Sequence, residues 1–204
     1  MNVGKILRNI SRVLLAGILI FELLNQAGIL NYTLTFTWLG LILTASVIWL
    51  FAEIVSSFLK KYCDRALPGW EMAIITGAVY IDALGDILRF YGKFSWYDQL
   101  AHFLGGMAAT SVVFSVIYSF VKYKKMALEL FGIGFFSVAA ASFFGALYEI
   151  EEYLEDYYTG SHRLGGGPDT ANDLMLNLLG SFLAAIIAIG IIKIIRLRRS
   201  ANKN

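Results

Sequence analysis

Residues 98–121 read DQLAHFLGGMAATSVVFSVIYSFV. Beyond His102 no charged residue interrupts the run. Its length matches the roughly 20 mostly apolar residues that an α-helix needs to cross a bilayer. That length decides the fold, while the Asp98 and His102 at its mouth raise the question of function.

Five more windows of this kind flank it, at roughly 10–30, 33–59, 70–91, 127–154 and 171–195. The pattern predicts an all-α, polytopic membrane protein with a bundle of six transmembrane helices. Composition agrees. The 204-residue chain is 58% hydrophobic and 16% charged, against about 45–50% and about 25% in soluble domains. There are two prolines, and the 19 glycines lie largely within apolar runs, as is common in membrane helices. One cysteine, Cys63, excludes an intramolecular disulfide framework. The first residues, MNVGKILRNISRVLLAGILIFELLNQAG (1–28), imitate a secretory signal. Glu22 interrupts the apolar stretch and no clear small-x-small cleavage site follows, so this segment reads as an uncleaved first helix. Residues 1–204 read as one integral membrane domain, whose longest connection is about 155–170.

Basic residues orient the helices. Lys5, Arg8 and Arg12 precede the first window; Lys60, Lys61 and Arg65 separate the second from the third; Lys122, Lys124 and Lys125 separate the fourth from the fifth. Lys193, Arg196, Arg198, Arg199 and Lys203 end the chain. Of the 17 Lys and Arg, only Arg89, Lys93 and Arg163 fall on the other side. The positive-inside rule then places both termini in the cytoplasm, which implies a multi-pass protein of the cytoplasmic (inner) membrane. Topology accounts for these basic residues, so no nucleic-acid partner is expected; the partner is the lipid bilayer.

The acids run the opposite way. Asp82 and Asp86 end the third helix, Asp98 and His102 begin the fourth, Glu149 and Glu152 lie near the end of the fifth, and Asp169, Asp173 and Asn177 begin the sixth. The i, i+4 and i, i+3 spacings put each set on one helix face. At a rise of about 1.5 Å per residue, His102 and Asp173 lie about 6 Å deeper than Asp98 and Asp169. Intramembrane ionisable groups cost about 2.5–3.5 kcal/mol each on the gentler insertion scale, so they should face the bundle interior or a water-filled cavity. Several carboxylates in a small space repel, and either protons or a cation must join them. One imidazole among carboxylates suits a single divalent Mg, Mn, Fe or Zn ion. The candidate ligands are His102, Glu149, Asp173 and Asp82. Glu152 and Asp98 are the candidate acid–base groups, and Asp86, Asp169 and Asn177 are supporting residues.

Each feature also has a plainer explanation. Asp98 and Asp169 cap helix N-termini, and Glu151, Glu155 and Asp156 form a solvated acidic rim. Asp173 and Asn177 join helices by hydrogen bonds, and Gly105, Gly106 and Gly180 permit close helix contact. Those explanations leave the agreement in side and depth across four helices unaccounted for.

The runs YIDALGDILRFY (80–91), WYDQLAHFLGG (96–106), GALYEIEEY (145–153) and PDTANDLMLNLLGS (168–181) together resemble the YjdF-like family of small prokaryotic inner-membrane proteins. The resemblance covers roughly 70–185 and implies interest in the acids and histidine just named, without implying a reaction. The order D-x-x-x-H, acidic helix end, D-x-x-x-N-x-x-G is also distantly similar to VanZ-like proteins. It departs from them at Gln99, where lysine is expected, and at Glu152, where glutamine is expected.

Three functions stay open on these grounds. The first is a metal-assisted enzyme acting on a lipid or lipid-linked substrate at the outer leaflet. A cation- or proton-binding or transport protein is the second, and a structural accessory membrane protein the third. No HExxH or GxSxG signature selects a known hydrolase class.

Overall fold

Residues 3–123 and 125–202 are described by the computed structural model; Lys124 and Lys203, counted above among the basic residues, lie outside them. The described residues form seven helices and no strand: α1 (Val3–Gln26), α2 (Trp38–Cys63), α3 (Gly69–Ile87), α4 (Phe90–Lys93), α5 (Tyr97–Lys122), α6 (Leu130–Thr159) and α7 (Gly167–Ala201). Four of them, α2, α5, α6 and α7, are long and apolar enough to cross a membrane. The sequence predicts six spans, and length with composition supports four. The other two long helices carry charge within their apolar stretches: Arg12 and Glu22 in α1, and Glu71, Asp82 and Asp86 in α3.

Local chemistry sets the ends. Thr37 caps α2, its hydroxyl accepting from the Gly40 N–H at 3.1 Å. α3 stops at Ile87, short of the expected 91, because Arg89 takes a left-handed φ of 59° and starts the one-turn α4. Gly160, at φ 72°, ends α6, a conformation glycine adopts without a Cβ clash. Both α6 and α7 extend further than the apolar windows, which shortens their connection to 160–166.

Two packing regions result. Within α1, α2 and α3, a core of large side chains forms, including Leu15, Leu41, Leu59, Met72 and Val79. Between α5 and α7 the backbones themselves touch. A Cβ added at Gly106 would fall on the Asn177 carbonyl oxygen, and one at Gly180 on the Phe103 carbonyl oxygen. The Ser181 hydroxyl donates to the Gly106 carbonyl at 3.3 Å across the same seam. Gly105 is not part of it, since a Cβ there would meet only Asn177 Oδ1, at 3.9 Å. α3 joins the regions: the Tyr97 hydroxyl of α5 donates to its Ile81 carbonyl at 2.7 Å.

Candidate metal centre

The first turns of α5 carry Asp98 and, one helical turn on, His102, whose side chain is buried while that of Asp98 is 35% exposed. Asp98 Oδ1 lies 3.4 Å from His102 Nε2, and Asp173 Oδ2, from α7, lies 3.8 Å from the same nitrogen. The opposite nitrogen, Nδ1, faces Glu149 Oε1 of α6 at 3.6 Å and Asn177 Nδ2 of α7 at 3.3 Å. Three helices thus converge on one imidazole, and the imidazole sorts the acids. Asp98 and Asp173 share the Nε2 side, whereas Glu149 stands on the Nδ1 side. Ligand atoms of Asp98, His102 and Asp173 lie within 4.8 Å of one another, as do those of His102, Glu149 and Glu152.

Asp82 stands elsewhere. Its Oδ1 accepts from Arg163 Nη2 at 3.0 Å and from the Tyr91 hydroxyl at 2.9 Å. Arg163 is buried although it belongs to the α6–α7 connection. Its Nε donates to Glu152 Oε1 at 3.0 Å, Nη1 to Glu155 Oε2 at 3.4 Å, and Nη2 to the Tyr148 hydroxyl. The guanidinium also lies over the rings of Tyr148 (5.4 Å) and Phe36 (5.9 Å). Burial works to lower its pKa, yet the Tyr148 hydroxyl and the carboxylates of Asp82 and Glu152 hold it well above the ordinary value. Burial likewise pushes the Tyr91 phenol well above its usual range, reinforced by Asp82, so Tyr91 remains a donor to that carboxylate.

The connection turns inward for a local reason. Asp156 gathers three of its groups: Oδ1 accepts from the Ser161 hydroxyl and the Arg163 N–H, and Oδ2 from the Leu164 N–H at 3.0 Å. Left-handed His162 (φ 61°) and Gly165 (φ 68°) flank the residue so aimed. Glu155 is buried and also accepts from the Thr37 hydroxyl, tying α6 to the start of α2. Sequence reading treats Glu155 and Asp156 as a solvated rim, and the folded chain uses both to seat Arg163. The acidic surplus at this end calls for a cation, and Arg163 is the one Lys or Arg of that connection.

Asp86 and Asp169 differ in their surroundings. Asp86 is buried, and its Oδ1 accepts from the Thr35 and Phe36 N–H groups at 2.6 and 3.0 Å, pinning the α1–α2 connection. Asp169 is exposed in the first turn of α7, with its carboxylate against Gly165.

The family described as predicted membrane protein (DUF2238) matches residues 10–193. The chain belongs to that family. An uncharacterized protein of Thermotoga maritima is 25% identical over 130 residues, which cover 63% of this chain and 66%, just under two thirds, of that protein. No solved structure matches. The matched region of this DUF2238 chain spans every residue of the cluster, and with its apolar helices the chain is a helical membrane protein.

Both oxygens of Glu149 and Oδ1 of Asp173 are buried without a hydrogen-bond partner among the described residues. Buried charges are ordinarily paired or coordinate a metal. One imidazole nitrogen with two carboxylates, and further acids at its edge, is a donor set that fits a divalent ion.

Proposed function

We propose that this DUF2238 protein is a metal-assisted enzyme of the cytoplasmic membrane that acts on a lipid or lipid-linked substrate. In this reading it spans the membrane six times, with both termini in the cytoplasm and the cluster toward the outer leaflet. The YjdF-like kinship is adopted as the finer family assignment. A single observation carries the reading: Asp98, His102 and Asp173 bring three ligand atoms within 4.8 Å of one another, with partnerless buried carboxylate oxygens beside them.

His102 Nε2, Asp98 and Asp173 would hold one Mg, Mn, Fe or Zn ion. When bound, the ion supplies Lewis acidity toward an ester or phosphoryl oxygen, or acidifies a water molecule. Glu149, on Nδ1, orients the imidazole as carboxylates commonly do behind a metal-bound histidine. Glu152 is the acid–base group, fixed by Arg163, and Asp82 serves by anchoring Arg163. The half-exposed Asp98 marks the mouth. Alongside His102 the Gly106–Asn177 and Gly180–Phe103 backbone contacts bring α5 and α7 together. A partly exposed Asp98 above the backbone contact of α5 and α7 favours binding and turnover at one face over conduction across the bundle.

Elemental analysis of protein purified without chelator tests this. Roughly one divalent ion per chain is expected in the wild type, and its loss in both His102→Ala and Asp173→Asn. Metal-free wild type would sink the reading. Retention of metal with no turnover of phospholipid or polyprenyl-linked substrates would sink the enzymatic half alone.

A further inference from the structure

α1 buries the stripe Ser11, Leu15, Ile18, Glu22 and Asn25, a spacing of alternating threes and fours that turns one helical face to the core. Glu22 occupies a place in that stripe where a leucine would fit. It is fully buried, and neither carboxylate oxygen has a hydrogen-bond partner among the described residues.

Among the described residues no cation pairs with it. Arg12 forms two 2.6 Å hydrogen bonds to Glu53, and Arg8 reaches the Leu67 carbonyl at 3.5 Å. Arg12 is also about 15 Å of helical rise from Glu22. From α2, the neighbouring Phe21 meets the uncharged Trp38. From α3, the groups acting on Glu22 are Asp82, of the same sign, and the phenol of Tyr80, which donates to the Leu14 carbonyl at 3.0 Å. Arg163 is already held by Asp82, Glu152 and Glu155. Glu71 of α3 is equally buried and its oxygens likewise lack a hydrogen-bond partner among the described residues, but it stands in the first turn of its helix and has no like charge beside it.

An isolated carboxylate in such surroundings is far costlier than the neutral acid, and a like charge nearby adds to the cost. We propose that Glu22 is a proton-binding site, a carboxyl that folds into the bundle as the neutral acid and holds its proton at neutral pH behind the Asp82–Arg163 network. The ligand is a proton, and the site is independent of any metal on His102. Next to Asp82, it stores one proton at the junction of the apolar and polar regions.

Infrared spectra of the full chain in lipid vesicles at pH 7 test the proposal, since an ordinary glutamate, with a pKa of about 4.3, is almost wholly ionised there. Glu22→Gln should remove one deuterium-sensitive carbonyl band of a protonated carboxyl and leave the carboxylate bands intact. Glu53→Gln, which breaks the Arg12 pair, should do the reverse. Loss of a carboxylate band in Glu22→Gln overturns the proposal. If that variant does not fold, wild-type protein carrying carbon-13 glutamate must still show an isotope-shifted protonated-carboxyl band, and its absence is equally fatal.

Discussion

The α1–α2–α3 region and the α5–α6–α7 region hold their helices together by opposite means. In the first, leucines, methionine and valine interlock as in a soluble core. In the second, glycines let α5 and α7 touch backbone to backbone, and the space above the seam is filled with acids, a histidine and an arginine. Close backbone contact is how membrane helices associate when surrounding lipid is as apolar as leucine. It also frees the helix ends to carry polar groups, because packing below no longer depends on them. α3 belongs to both regions, contributing Val79 and Ala83 to the core and Asp82 to Arg163.

The contrast can be broken most severely at Arg163. Replacing it with alanine strands Asp82, Glu152 and Glu155 and should cost about 3–5 kcal/mol, the usual penalty for removing one partner of a buried pair. Thermal unfolding in detergent measures it, and Arg163→Lys should recover only part because a single ammonium cannot reproduce the fork. A harmless Arg163→Ala would mean the polar region needs no internal cation. Metal removal comes next. Stripping an ion present at about 100 times its Kd should lower wild-type stability by about 2.7 kcal/mol and leave Asp173→Asn unmoved; equal shifts in both would place the ion elsewhere.

Smaller effects sharpen the seam. Gly106→Ala should destabilise by about 1–3 kcal/mol through overpacking against Asn177. Its neighbour Gly105→Ala should stabilise by about 0.4–1 kcal/mol, since a Cβ there meets nothing closer than 3.9 Å and the unfolded chain loses freedom. Denaturation midpoints of the two variants should move in opposite directions; parallel shifts would show that the seam is not where these helices touch.

Much of this was legible beforehand for definable reasons. Helix existence follows from runs of apolar residues long enough to span a bilayer, a local property. That Asp98 shares a helix face with His102, and Asp173 with Asn177, follows from the helical repeat alone. The inward turn of Arg163 was hidden, because it depends on Asp156 collecting backbone N–H groups seven and eight residues ahead and on a left-handed His162, neither of which has a periodic signature. Charge patterning likewise misplaced Glu155, which looks like a surface acid until Thr37 and Arg163 are brought to it.

The amino-acid order alone thus determined that the chain enters a membrane as a set of long helices, and that acids gather at one end of them, since length, hydropathy and repeat are carried by neighbouring residues. Only the tertiary structure decided which acid meets which cation: Asp82 with Arg163, and Asp98 and Asp173 with one nitrogen of His102 while Glu149 takes the other. Those choices rest on the rotation of each helix about its axis and on the path of one connection, and such quantities exist only once the helices have packed.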